Sequence, residues 1–174
     1  MATGATVTIG VISDTHMPRH ARVLPAALRE GLRGVDVIVH CGDMVDAMAV
    51  PLFEAIAPLQ AVAGNNDPSD LQHRFGKRKI LEFGGVRIGI VHGHDGAGRS
   101  TLARAENAFK GEHIDAILFG HSHIPYCRWH DGVLLFNPGS PTDRRRQREY
   151  SYGTLRITGS SIEPQLFYYA DKSP

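Results

Sequence analysis

Cysteine is scarce in this sequence, and so are long apolar runs. The 174 residues include two cysteines, Cys41 and Cys127, which are too few for a disulfide framework, so we expect two free thiols. No apolar run exceeds about six residues, whereas a helix that spans a bilayer needs roughly 20. The N-terminal residues also lack the basic-then-apolar pattern of a signal peptide. The sequence therefore predicts a cytoplasmic protein without a membrane partner.

An excess of charge of either sign is also absent. The 19 Lys and Arg residues nearly balance the 18 Asp and Glu residues, which leaves a formal net charge of +1. Because no stripe of interleaved basic and aromatic residues occurs either, we expect no specific nucleic-acid partner. Hydrophobic residues at 42% and charged residues at 21% are typical of a globular chain. The length suits one compact domain, so we predict a single domain over residues 1–174.

Apolar runs alternate with helical patterns in the first half of the chain. The runs at 7–12, 35–39 and 59–63 lack polar alternation, which is typical of strands buried on both faces. Leucines recur at helical spacing over 24–32, and the stretch from about 46 to 56 also has a helical pattern. Strand, loop and helix therefore form the opening unit.

Hairpin signals dominate the second half. Gly84-Gly85 joins the runs at 80–83 and 86–91, which indicates a second sheet that begins with antiparallel strands. A helix from about 100 to 110, with Ser100 as its N-cap, follows this hairpin. The remaining predicted strands are 115–119, the hairpin of 126–129 with 133–136, and the hairpin of 152–157 with 162–169.

Seven residues that can bind a metal ion each follow a predicted strand by a few residues. They are Asp14, His16, Asp43, Asn65, His92, His121 and His123. If the strands lie side by side, their carboxyl ends form one rim, which is where open α/β sheets bind ligands. Mixed imidazole and oxygen ligands suit Mn, Fe, Ni, Zn or Co better than Ca or Mg. Seven ligands fit two ions that share a carboxylate, and such a pair can clamp the oxygens of an in-line phosphoryl displacement.

These candidates occur in five short blocks whose order resembles that of the calcineurin-like metallophosphoesterases. The blocks are Asp14-x-His16, Gly42-Asp43, Gly64-Asn65-x-Asp67, His92-Gly93 and Gly120-His121-x-His123. The resemblance covers Asp14 to Ser140 and is greatest to the small, single-domain YfcE-like phosphodiesterase branch. It implies an α/β fold, namely a four-layer αββα sandwich of two mixed β-sheets flanked by helices, with a dinuclear centre at one edge.

The resemblance also implies how the ligands divide between two divalent transition-metal ions. Asp14, His16, Asp43 and His123 would hold one ion and Asp43, Asn65, His92 and His121 the other, with Asp43 as the bridge. Manganese is the preferred ion, and iron, nickel, zinc and cobalt are alternatives. The implied function is a phosphodiesterase that hydrolyses a small phosphodiester by in-line attack of a metal-bridging hydroxide. The rival function is a non-catalytic protein-binding scaffold like the retromer subunit of the same fold.

Asn66 departs from the family pattern. Many members carry a histidine there that helps to protonate the leaving oxygen, and an amide cannot act as a general acid. Asn66 could still hydrogen-bond a phosphoryl oxygen. We therefore predict a preference for good leaving groups, or else proton donation by a metal-bound water or by His94. His94 itself could equally be an exposed loop histidine.

Other features leave alternatives open. Asp67 either orients a neighbouring ligand or forms an Asx turn before Pro68. The block from Asn137 to Ser140 is expected to shape a tight loop beside the site. The arginine-rich loop after it either attracts phosphate or, as is more common, is a solvated loop or a contact in a homo-oligomer. Its arginines are Arg144, Arg145, Arg146 and Arg148. No role in the site is expected for His20, His40, His73, His113 or His130.

Overall fold

Two five-stranded mixed β-sheets form the centre of the computed structural model, which describes residues 4–174. The first three residues of the predicted 1–174 domain lie outside the described residues. The first sheet has the order β10-β9-β1-β2-β3, and its parallel strands are β1, β2 and β3. Their bounds are β1 Thr6–Ile12, β2 Val37–His40, β3 Leu59–Ala61, β9 Tyr150–Thr158 and β10 Ser161–Tyr169.

The second sheet has the order β4-β5-β6-β8-β7. Its strands β5, β6 and β8 are parallel, and β4 and β7 pair antiparallel at the two edges. The antiparallel start that the sequence predicts for this sheet is therefore confirmed. The bounds are β4 Arg78–Phe83, β5 Val86–Val91, β6 Ala116–Leu118, β7 Tyr126–His130 and β8 Val133–Asn137.

Four short α-helices cover the outer faces of the sheets. They are α1 Ala26–Gly31, α2 Val50–Glu54, α3 Ser69–Phe75 and α4 Thr101–Asn107. Ser100 caps α4 as predicted, because its hydroxyl accepts a hydrogen bond from the Ala103 N–H at 3.1 Å. Among the helices of residues 4–174, none has the length and apolar character that a bilayer crossing requires.

The apolar core defines four layers. In β2, Val37 and Val39 pack between the two sheets, whereas Ile38 points to the opposite face and packs with buried residues of α1, α2 and α3. On the outer face of the second sheet, Ala105 of α4 packs with Ile117 of β6. The layers are therefore helices, sheet, sheet and helix, which confirms the predicted αββα sandwich of two mixed sheets.

The sequence prediction missed α3 and overestimated the second helix. Leu71 is the one buried residue of α3, so this helix has no apolar periodicity to detect. The helical pattern at 46–56 forms a 3₁₀ turn at Ala47–Ala49 that continues into α2. Asp46 starts this turn by accepting a hydrogen bond from the Met48 N–H at 2.8 Å.

Candidate metal centre

Loops from both sheets meet where their parallel strands end. The first sheet contributes the loops after β1, β2 and β3, and the second sheet contributes the loops after β5 and β6. All seven ligand candidates lie in these loops: Asp14, His16, Asp43, Asn65, His92, His121 and His123. The side-by-side parallel strands explain why residues up to 109 positions apart share one edge, since their carboxyl ends point the same way.

Asp14, His16 and His123 form one group of potential metal ligands. Their ligand atoms lie within 4.8 Å of one another, with 3.4 Å between His123 Nε2 and Asp14 Oδ1. Asp14 Oδ1, His16 Nε2 and His123 Nε2 are all buried and have no hydrogen-bond partner. Leaving three buried polar atoms unpaired is costly, and their convergence on one point is what a bound cation would satisfy. These donor atoms therefore fit a metal ion.

Asp14, Asp43 and His92 form a second group, also within 4.8 Å. His92 Nε2 lies 3.3 Å from Asp43 Oδ2 and 3.8 Å from Asp14 Oδ1. Asp43 Oδ2 is also 3.5 Å from His16 Nε2, so this carboxylate lies between the two groups. The position of Asp43 suits its predicted role as the bridge between two metal ions. Asp14 is a member of both groups, which the sequence did not indicate.

Asn65 and His121 lie at the border of the second group. The Asn65 Oδ1 is 3.1 Å from His92 Nε2, and the His121 ring centroid is 5.1 Å from that of His92. The backbone N–H of His121 donates to Asp14 Oδ2 at 2.9 Å, which ties the loop after β6 to the loop after β1. The structure thus brings all seven predicted ligands to one place.

Backbone carbonyls fix the tautomers of two histidines. His92 Nδ1 is 2.8 Å from the Cys41 carbonyl, and His123 Nδ1 is 2.6 Å from the Asp143 carbonyl. A carbonyl can only accept, so each Nδ1 carries the proton and donates it. In the neutral ring, each Nε2 therefore has a free lone pair and faces the centre, where it could bind a metal ion.

The ligand loops hold non-glycine residues in the left-handed backbone region. The φ values are 56° for Asp14, 44° for His16, 60° for Asp43, 67° for His121 and 59° for His123. This region is unfavourable for residues with a Cβ and persists where the surrounding structure enforces it, commonly at functional sites. The repeated occurrence at five ligand candidates supports a functional role for this edge.

Two glycines allow the loops to approach the carboxylates. A Cβ at Gly64 would lie 2.1 Å from Asp43 Oδ1, and a Cβ at Gly120 would lie 1.9 Å from Ser13 Oγ. Both distances are far below van der Waals contact, so only glycine fits beside these groups. Ser13 Oγ donates to Asp14 Oδ2 at 2.7 Å. A side chain at Gly120 would displace Ser13 and with it the hydrogen bond that orients Asp14.

Asp67 ties two loops together. Its carboxylate accepts hydrogen bonds from three backbone N–H groups, those of Asp43 at 2.9 Å, Val45 at 2.6 Å and Gly64 at 2.6 Å. An Asx turn would instead involve an N–H two residues later in the chain. Of the two alternatives for Asp67, the contacts thus favour the one in which it orients the neighbouring ligand Asp43.

Asn66 contacts Asp43 directly. Its backbone N–H donates to Asp43 Oδ1 at 2.9 Å and its Nδ2 donates to Asp43 Oδ2 at 2.7 Å. His94 lies beside His92, with its ring centroid 5.3 Å from that of His92 and its Nδ1 buried without a partner. Burial lowers the pKa of His94, so this imidazole is mainly neutral at pH 7 and lacks the acidic proton of an imidazolium.

The buried carboxylates create a demand for positive charge. Burial alone would raise the pKa of Asp43, but hydrogen bonds from His92 and Asn66 outweigh it and hold the pKa below its ordinary range. Burial alone would lower the pKa of His92, but Asp43 and Asp14 raise it to about 9. Without a metal ion, a proton on His92 supplies the positive charge that the carboxylates require.

Three residues near the centre were not found from the sequence. Asp143 supplies the carbonyl that orients His123, a backbone contribution that no side-chain pattern reveals. His40, for which no role was expected, accepts a hydrogen bond from the Gly42 N–H at 3.1 Å and has Nε2 3.0 Å from Thr15 Oγ1. His20, also expected to have no role, lies with its ring centroid 5.9 Å from that of His16 and its Nε2 3.5 Å from Asp143.

The block from Asn137 to Ser140 shapes its loop as expected. Ser140 Oγ donates to the Asp14 carbonyl at 2.8 Å and accepts from the Asp143 N–H at 2.8 Å. Asn137 Nδ2 donates to the Gly120 carbonyl at 3.0 Å. The block therefore joins two ligand-bearing loops, those after β1 and β6, without offering a ligand candidate itself.

Comparison with known proteins links this geometry to one family. A family model described as the calcineurin-like phosphoesterase superfamily domain matches residues 7–160. A probable metallophosphoesterase of Methanocaldococcus jannaschii is 37% identical over 139 residues, which cover 80% of this chain and 70% of that protein. A phosphodiesterase of the same organism is 30% identical over 145 residues, which cover 75% and 82%.

Two crystal structures share the architecture. A predicted phosphoesterase from Streptococcus pneumoniae superposes with a TM-score of 0.71 at 26% identity, covering 94% of this chain and 90% of that one. Vps29 from Chaetomium thermophilum superposes with a TM-score of 0.75 at 19% identity, covering 97% and 100%. At that identity the likeness to Vps29 concerns the fold alone.

Proposed function

Because this chain belongs to the calcineurin-like phosphoesterase superfamily, we propose that it is a phosphodiesterase that hydrolyses P–O bonds at a dinuclear metal centre. One observation carries the proposal: three buried, unpaired ligand atoms converge in one group, and Asp43 joins that group to a second one. The three atoms are Asp14 Oδ1, His16 Nε2 and His123 Nε2. Metal-dependent phosphoester hydrolysis is the chemistry of the family; the diester preference and the two-ion centre are our proposals.

The chain offers two sets of ligands. Asp14, His16, Asp43 and His123 would hold one ion, and Asp43, Asn65, His92 and His121 would hold the other. When bound, such ions supply a hydroxide nucleophile near neutral pH and offset negative charge on the phosphoryl oxygens. Imidazole and oxygen donors together favour manganese, iron, nickel, zinc or cobalt, and we propose manganese as the first ion to test.

The surrounding residues position the ligands for in-line displacement. Asp67 fixes the backbone around Asp43, and Asn66 holds both oxygens of the Asp43 carboxylate. Because Asn66 is an amide and His94 is neutral at pH 7, neither can protonate the leaving oxygen efficiently. The proposed enzyme should therefore favour substrates whose leaving groups need no proton.

Diesters are the proposed substrate class for two reasons. One relative is named a phosphodiesterase. In addition, residues 4–174 form the two sheets and their covering helices and leave no capping domain over the centre. An uncovered centre should discriminate weakly among the alcohol groups of a small diester.

Hydrolysis of bis(p-nitrophenyl) phosphate with added Mn²⁺ tests the proposal. We expect turnover that a chelator abolishes and that Asp43→Asn lowers by at least about 100-fold, because Asp43 belongs to one ligand group and lies 3.5 Å from His16 of the other. Asp70→Asn, at an exposed position in the first turn of α3, is the matched control and should keep full activity. A panel of monoesters and diesters then decides the substrate class.

A non-catalytic scaffold is the alternative, since Vps29 has the same fold. A scaffold has no need for a complete set of converging ligands, whereas this chain holds all seven together. Absence of turnover with every one of the five candidate ions, in protein whose metal content is measured, would favour the scaffold.

We also propose that the chain is a single domain, that it is cytoplasmic and that it forms a homo-oligomer.

A further inference from the structure

A cavity of about 330 Å³ lies beside the metal centre on the side of His16 and Asn66. This volume is at the lower end of the range for small-molecule sites. Its lining is polar and includes two arginines from different loops, Arg19 and Arg145. The remaining lining residues are His20, Val45 and Asp143. The cavity is therefore lined both by the ligand candidate His16 and by two cationic side chains.

The arginines of the loop after Ser140 divide into different environments. Arg144 lies over the Tyr150 ring, 5.3 Å from its centroid, and donates to the Arg148 carbonyl. Arg145 is the member of this loop that lines the cavity. Arg19, which the sequence did not single out, joins it from the loop after β1.

Both cavity arginines have unused hydrogen-bond donors. Within residues 4–174, neither side chain donates a hydrogen bond, and the carboxylate nearest to Arg145 is Asp143, at 4.0 Å from its Nε. The lining contains two guanidinium groups and one carboxylate, so it carries a net positive charge. A guanidinium fork matches a phosphate group geometrically, which makes this pair suited to an anion.

The two loops are held in a fixed relation. Lys172 Nζ donates to the His20 carbonyl at 2.6 Å and to the Thr142 carbonyl at 3.0 Å, so it links the loop of Arg19 to the loop of Arg145. Thr142 Oγ1 donates to the Thr15 carbonyl at 2.6 Å. Arg145 has a φ of 50°, a strained conformation that surrounding contacts must maintain. The backbone segments that carry the two arginines are thus fixed relative to each other before any ligand binds.

We infer that Arg19 and Arg145 bind a second anionic group of the substrate, so that the preferred phosphodiester carries a phosphate close to the scissile one. This inference rests on the proposed function, because it assigns the scissile phosphodiester to the adjacent metal centre. It concerns selectivity among diesters rather than the displacement itself.

A matched pair of chromogenic substrates tests the inference. Thymidine 5′-(p-nitrophenyl phosphate) and its 3′-phosphorylated form differ only in the second phosphate. We expect kcat/KM of the Mn²⁺-loaded protein to be about tenfold higher for the 3′-phosphorylated form, the size of one charged hydrogen-bonding contact. Arg145→Gln and Arg19→Gln should each bring this ratio close to one. Arg146→Gln removes an equal charge outside the cavity lining and should leave the ratio intact.

Direct binding separates the inference from the proposed function. Calorimetric titration with thymidine 3′,5′-bisphosphate and thymidine 5′-monophosphate needs no turnover, and we expect the bisphosphate to bind about tenfold tighter through Arg145. If neither diester is hydrolysed but this preference depends on the arginines, the anion site stands and the proposed function is wrong. Suppose instead that both diesters are hydrolysed, but that neither Arg145→Gln nor Arg19→Gln changes the kcat/KM ratio or the preference for the bisphosphate. The anion site is then wrong and the proposed function stands.

Discussion

Asn66 donates two hydrogen bonds to Asp43, one from its backbone N–H at 2.9 Å and one from its side-chain amide at 2.7 Å. The amide therefore holds the carboxylate that lies between the two ligand groups. A histidine in the same place could donate from Nδ1 to Asp43 and still present a proton on Nε2. The identity of residue 66 thus decides whether this side of the centre contains an acid.

Asn66→His should speed the hydrolysis of diesters with poor leaving groups. A positioned general acid contributes about 10²–10⁴-fold where the leaving oxygen needs a proton, and little where it is a p-nitrophenolate. We expect the dependence of the rate on leaving-group pKa to become shallower in the variant. The measurement is kcat/KM across a series of aryl and alkyl phosphodiesters.

Asn66→Ala is the control for this series, because it removes the amide without adding an acid. It should lower all rates by a similar factor through the loss of one contact to Asp43. An unchanged slope in Asn66→His, with Asp43 still able to bind metal, would show that the missing acid does not limit the enzyme.

Asp67→Asn should destabilise the protein by about 2–4 kcal/mol. The buried carboxylate accepts three backbone hydrogen bonds, and an amide has one acceptor oxygen and would turn donors toward backbone N–H groups. Urea unfolding measures the free energy, and Asp70→Asn serves as the exposed control. Metal affinity should also fall about 10–100-fold, because Asp67 positions Asp43. Equal stability of both variants would contradict the role assigned to Asp67.

Metal binding should release a proton from His92. Its pKa of about 9 means that the metal-free protein carries this proton at pH 7.5, and a metal ion can bind Nε2 only after the proton leaves. Calorimetric titration of chelator-treated protein with Mn²⁺, repeated in buffers of different ionisation enthalpy, counts the released protons. We expect about one. Affinity should weaken as pH falls, and a pH-independent affinity without proton release would contradict the assignment.

The convergence of the ligand candidates could be predicted because their positions follow from the strand pattern. Each candidate follows an apolar run, and parallel strands bring their carboxyl ends to one edge, so chain position translates into spatial proximity. The two sheets were likewise predictable from the change from buried runs to glycine-linked hairpins. Side-chain identity and periodicity carry that information.

Other features depend on the folded backbone and could not be predicted. Asp143 acts through its carbonyl, which every residue has, and α3 buries a single side chain. Arg144 and Arg145 are neighbours of the same type, yet a φ of 50° at Arg145 places one in the cavity while the other lies over Tyr150. Only the three-dimensional path of the loop distinguishes them.

His40 provides a prediction about pH because it is buried and neutral. Nδ1 accepts from the Gly42 N–H, so the proton is on Nε2, which donates to Thr15 Oγ1. Burial lowers the pKa of His40 from its ordinary value near 6.5 to about 3. Between these values the unfolded chain binds a proton that the folded chain rejects, so the free energy of unfolding falls as pH drops from 6.5 toward 3.

His40→Asn should remove this pH dependence. Asparagine keeps an acceptor near the Gly42 N–H but does not titrate. The contribution of His40 to the free energy of unfolding changes by at most about 1.4 kcal/mol per pH unit, and the variant lacks this contribution. The variant is less stable at pH 7, because it loses the contact to Thr15, and the difference should shrink by about 2 kcal/mol at pH 5. Urea unfolding of chelator-treated protein at both pH values measures it. A difference in the free energy of unfolding that is the same at both pH values would mean that His40 accepts a proton in the folded state. Because a doubly protonated ring has no acceptor, the imidazole would then lose its hydrogen bond from Gly42.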